Sequence, residues 1–83
     1  MQTNEKNNPY VLILGQTIKV ERKKRQLTQT QLANLSNCNI NFISQVESGK
    51  YSAQIGKVLD VLKVLGLELH ITKGPNGVVD HVK

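Results

Sequence analysis

Residues 27–50 read LTQTQLANLSNCNINFISQVESGK, and the fold turns on how this stretch divides. Thr28 and Gln31 stand three apart at its start. In that pattern the threonine hydroxyl accepts from the Gln31 amide while the Gln31 side chain returns to the cap amide. A helix is therefore expected from Thr28 to Leu35, with Leu32 and Leu35 on its inner side and Ala33 small enough for close helix contact. It should stop at Ser36-Asn37, because asparagine tolerates a left-handed backbone. Asn39 then offers a fresh N-cap for a helix reaching Glu47 or Ser48, with Gly49 as its stop.

Upstream, Val11, Leu14 and Ile18, then Leu27 past a basic turn, recur at helical spacing and predict a helix over Val11 to Lys24, its positive charges gathered toward the C-terminal end. Downstream, Ile55, Val58, Leu59, Leu62 and Leu65 give a further helix ending at Gly66. From Leu67 to Thr72 apolar and polar residues alternate, the period of a half-buried strand, and Gly74-Pro75-Asn76-Gly77 is turn chemistry. A strand needs a partner, supplied either by Val78 to Val82 folding back or by the same segment of a second chain. The apolar series Leu67, Leu69 and Ile71 would then form a dimer strand. Three regions are expected: an N-terminal arm over residues 1–9, almost wholly polar, a folded unit over 10–66, and a strand and tail over 67–83.

An 83-residue chain makes one domain at the small end of what buries its own core. Eleven Lys and Arg against 6 Asp and Glu leave a net charge of +5, which favours a polyanionic partner. A single cysteine, Cys38, excludes an intrachain disulfide and, with only His70 and His81 beside it, a zinc cluster. No metal and no cofactor is expected, and no nucleophile–base pair suggests an enzyme. Val11 to Leu14 is too short an apolar run to span a bilayer and does not read as a signal peptide, so a cytoplasmic protein with no membrane partner is expected.

Two short helices joined by a tight turn form a helix-turn-helix arrangement, which suits DNA because a lone helix fits the major groove while its predecessor braces it on the backbone. On a wheel of about 100° per residue, Phe42, Ile43, Val46 and Glu47 fall on one side of the second helix. Ile40, Asn41, Ser44 and Gln45 fall on the other. Asn and Gln can bond adenine bidentately, and Ile40 can meet a thymine methyl, so the second set is the candidate base-reading face. A polar face alone is what any solvated helix shows; the adjoining turn and caps shift the balance toward reading.

The blocks Leu14-Gly15-Gln16-Thr17-Ile18-Lys19, Arg22-Lys23, Leu27 to Ala33, Ile43 to Lys50 and Leu65-Gly66, in this order, resemble the Cro and phage-repressor (Xre) type of helix-turn-helix domain. The resemblance implies a mostly α, lambda-repressor-like domain of four to five helices, with the C-terminal β-strand added. It also implies phosphate contacts at Gln29, Asn39, Ser48 and Lys50, and a structural pair between Arg22 and Glu47. Asn37 stands where the family often has glycine, and Cys38 where a small aliphatic residue packs, so Cys38 reads as core.

A last helix ending in Leu-Gly and passing straight into an alternating strand is similar to the HipB-type antitoxins. That resemblance implies a homodimeric repressor of its own operon, bound to a palindromic double-stranded DNA operator and to a HipA-like kinase toxin. The alternatives are a stand-alone, phage or restriction-modification regulator and, from another class, a protein-interaction adaptor without DNA binding.

Overall fold

A computed structural model describes residues 8–74, in which four helices pack around one apolar centre. Helix α1 (Pro9–Lys24) begins two residues before the apolar spacing does, because Asn8 caps it: Asn8 Oδ1 accepts from the Tyr10 and Val11 amides at 2.9 and 3.4 Å, and Pro9 sits where no N–H is needed. Helix α2 (Gln29–Leu35) carries the capping box in full, with Gln31 N donating to Thr28 Oγ1 at 3.0 Å and Thr28 N to Gln31 Oε1 at 2.8 Å. Helix α3 (Ile40–Glu47) starts on Asn39, whose Oδ1 accepts from Phe42 N at 2.8 Å. Helix α4 (Ile55–Val64) closes the unit.

All four helices stop in the same way. Gln26, Asn37, Gly49 and Gly66 each hold a left-handed backbone, with φ of 59, 58, 85 and 70°. The residue after each one donates its amide five positions back: Leu27 to Arg22, Cys38 to Ala33, Lys50 to Gln45 and Leu67 to Leu62, at 2.8 to 3.1 Å. This double turn satisfies carbonyls that the helix leaves open, and it brings the residue after the turn over the last helical turn. At three of the four ends that residue, Leu27, Cys38 or Leu67, packs on the core. At α3 it is Lys50, which is exposed.

The core is Ile18 from α1, Leu32 and Ala33 from α2, Ile43 and Val46 from α3, and Val58, Val61, Leu62 and Leu65 from α4 and its end. Leu35, expected inside, is 60 % exposed. A seven-residue helix makes only two turns, and its inner stripe is already filled by Leu32 and Ala33. Gly15 sets the closest approach of α1 to α3. A Cβ there would run into the Val46 carbonyl oxygen and lie 3.2 Å from that of Glu47, so the two helices meet backbone to backbone.

The expected C-terminal β-strand does not form. Residues 67–74 carry no ladder, and no strand occurs among the described residues. Leu67 is drawn onto the core by the stop after α4, Leu69 is half exposed at the rim of a cleft beside Tyr10 and Ile13, and Ile71 is 91 % exposed. Alternation records which side chains would share a face, but a strand exists only as one side of a hydrogen-bonded ladder. The proposed hairpin partner, Val78 to Val82, lies outside the described residues. No helix among them is long and apolar enough to cross a membrane.

Candidate nucleic-acid interface

The short turn through Ser36, Asn37 and Cys38 sets α3 across the end of α2, and α3 divides into two faces. Ile43, Val46 and Glu47 are buried and Phe42 is half-buried, its ring under Lys57 Nζ at 5.7 Å. Ile40, Asn41, Ser44 and Gln45 are all exposed. The outward face is thus one apolar, one hydroxyl and two amide side chains, without a charge of its own.

What fixes α3 from behind is a buried ionic cluster. Arg22 and Glu47 are each 7 % exposed. Arg22 Nε donates to Glu47 Oε2 at 2.6 Å and Nη2 to Oε1 at 3.1 Å, a two-pronged contact between α1 and the last turn of α3. Arg22 Nη1 donates to the Leu27 carbonyl at 2.7 Å, and Gln29 Nε2 to Glu47 Oε1 at 3.0 Å. The Arg22–Glu47 pair therefore ties α1, the α1–α2 turn, the first residue of α2 and the end of α3. Charges removed from water are tolerable only when their hydrogen-bonding capacity is met, and here both carboxylate oxygens are engaged.

Gln29, for which the resemblance implies a phosphate contact, has a partner inside the protein. Its amide turns onto Glu47, which leaves its second N–H and its oxygen for anything outside. The other three expected phosphate residues also hold internal bonds. Asn39 caps α3, Ser48 Oγ donates to the Ser44 carbonyl at 2.9 Å, and Lys50 Nζ donates to Gln45 Oε1 at 3.2 Å. Lys50 retains two ammonium protons and Asn39 its amide N–H groups, whereas the single Ser48 proton is already committed.

Cys38 is half-buried against the core, and burial pushes its thiol above its ordinary value despite the opposing pull of Lys57. It is a neutral thiol at physiological pH. Among the described residues no cluster of His, Cys, Asp and Glu could hold a metal.

Comparison with known proteins agrees with this geometry. A family model described as a helix-turn-helix domain matches residues 13–70. An "Uncharacterized HTH-type transcriptional regulator y4mF" of Sinorhizobium fredii (strain NBRC 101917 / NGR234) is 41 % identical over 58 residues, which are 70 % of this chain and 76 % of that protein. An "Immunity repressor protein" of Bacillus phage phi105 is 32 % identical over 63 residues, 76 % of this chain and 44 % of the phage protein. The chain thus spans under half the length of that second relative.

Proposed function

From a chain that belongs to the helix-turn-helix domain family, we propose a transcriptional repressor that binds duplex DNA sequence-specifically, α3 lying in the major groove and two copies meeting a two-fold operator. Family and relatives alike point to a DNA-binding regulator and not an enzyme. The observation that carries the reading is the division of α3: its inner face is held by the Arg22–Glu47–Gln29 cluster, and its outer face presents Ile40, Asn41, Ser44 and Gln45 without obstruction. A helix held in place and side chains that can bond base edges, amides among them, are what major-groove recognition uses. Lys50 and Asn39, which keep spare donors at the two ends of α3, supply phosphate contacts, and the net charge of +5 draws the protein to DNA.

Selection of bound duplexes from a random pool tests the proposal. The expected product is a palindromic consensus with half-sites about one helical turn apart. Recovery of unenriched sequence, with binding that depends only on salt, would leave an adaptor or a nonspecific binder instead.

The narrower assignment, an antitoxin holding a HipA-like kinase, drew its support from the terminal strand, which residues 67–74 do not form. The name of the phage relative favours a regulator of the phage-repressor kind. Co-expression with the product of the adjacent gene decides between them: a stable complex with a kinase restores the antitoxin reading.

A further inference from the structure

The end of α3 departs from the other three helix ends in one respect. The residue after each left-handed stop is brought over the last turn of its helix, and three of the four use that position to pack on the core. At α3 the two partners of the turn are Lys50 and Gln45, joined twice: Lys50 N donates to the Gln45 carbonyl at 2.9 Å, and Lys50 Nζ donates to Gln45 Oε1 at 3.2 Å. The backbone bond places the lysine stem beside the glutamine, so the side-chain bond closes a short ring anchored by Gly49 at φ 85°.

This inference rests on the DNA-reading proposal above. We infer that Lys50 sets base specificity through Gln45, by holding the amide oxygen so that Gln45 presents its NH2 group to the groove and reads a base edge that offers acceptors, guanine above all.

An unrestrained Gln offers an acceptor and a donor side by side, the complement of the adenine N7 and N6 pair. With Oε1 held by an ammonium, what faces outward is the donor end. Guanine, with acceptors at both N7 and O6, suits it; adenine places its own N6 donor against it. Asn41, one turn earlier on the same face, forms no side-chain hydrogen bond among the described residues and keeps both functions. The two amides on α3 are therefore not equivalent: Asn41 matches adenine and Gln45 matches guanine. Lys50 has three N–H donors, so it can hold Gln45 and meet a phosphate together, coupling the position of α3 on the backbone to the orientation of a reading group.

The test compares the full chain with Lys50→Met, Gln45→Ala and the double variant on the selected operator and its single-base changes. Lys50 is exposed and its backbone bond survives the change, so the fold is retained. Beyond a uniform loss and a salt slope lower by about one unit, Lys50→Met should cut the preference for guanine over adenine at the Gln45 position by about fivefold or more. Preference at the Asn41 position should stay intact. In the Gln45→Ala background the same change should leave base ranking alone. In the free protein, the Gln45 side-chain amide resonances should shift in Lys50→Met while those of Asn41 do not. A uniform loss with unchanged ranking, or unmoved Gln45 resonances, overturns the inference while the DNA-reading proposal stands. Absence of any sequence preference in the unaltered chain overturns both.

Discussion

The cluster behind α3 and the segment after α4 are both places where the sequence sets polar or apolar groups against their usual preference, and they resolve it in opposite ways. Arg22 and Glu47 are charged residues taken out of water, and each takes part in three hydrogen bonds within the chain. Leu69 is an apolar residue left half in water, and Ile71 one left almost wholly in it. The lesson is that burial follows the availability of a partner in reach. Arg22 and Glu47, 25 positions apart, are brought together by the packing of α1 against α3. Residues 67–74 follow the last helix, and among the described residues no strand pairs with them.

The largest effect comes from removing one half of the cluster. Glu47→Ala or Arg22→Ala should each cost about 3–5 kcal/mol, since either leaves a buried charge alone. That is a large part of the ~5–15 kcal/mol that holds a small domain together, so chemical denaturation would show a much lowered midpoint. Replacing both, Arg22→Met with Glu47→Leu, should recover most of the loss; a double variant as unstable as the singles would mean that the charges themselves, and not their pairing, are required. Next is Gly15→Ala, which sets a methyl group on the Val46 carbonyl and should cost roughly 1–3 kcal/mol by parting α1 from α3. A thermal midpoint equal to the parent would show that the close approach is not needed.

On the reading face the effect moves from stability to recognition. Asn41→Ala should leave folding unchanged and cost on the order of 1–3 kcal/mol at the cognate site only, relaxing one position per half-site. Equal losses on cognate and scrambled duplexes would remove Asn41 from the reading face. Smallest of all is Ile71→Ser. With its side chain almost wholly exposed, the change should shift the stability of dilute protein by no more than about 0.5 kcal/mol. A larger loss would reveal a cover for this segment and sharpen the contrast with Arg22 and Glu47 into one between partners inside and outside the chain.

Much of this architecture was legible because its signals are local. The Thr28–Gln31 box, the Asn39 cap and the left-handed Asn37 and Gly49 depend on residues within a few positions, and each appears where the spacing put it. The inward side of α3 followed from helical periodicity alone. The pairing of Arg22 with Glu47 was suggested by family resemblance, since spacing cannot show that two distant residues meet. The bond from Gln29 to Glu47 was not legible, because the place of Gln29 at the start of α2 says nothing about a residue 18 positions later. Leu35 was misjudged since seven residues are too few to define a stripe. Gly15 did carry a signal, a glycine inside an apolar helical pattern, which marks close contact with a neighbouring element. The tail misled because alternation is a statement about faces and contains no information about a ladder.

Of the four residues that end the helices in a left-handed turn, two are glycines and one is asparagine, the types that accept such a backbone readily. The fourth, Gln26, is neither. A side chain with a Cβ in that conformation carries a strain of about 1 kcal/mol, held in place by the flanking bonds from Gln26 N to Lys23 and from Leu27 N to Arg22. The domain thus retains a margin of heat resistance that its sequence does not use, at the turn between its first two helices. Gln26→Gly should release it, offset in part by the greater freedom of glycine in the unfolded chain, and so raise the melting temperature by at most about a few degrees.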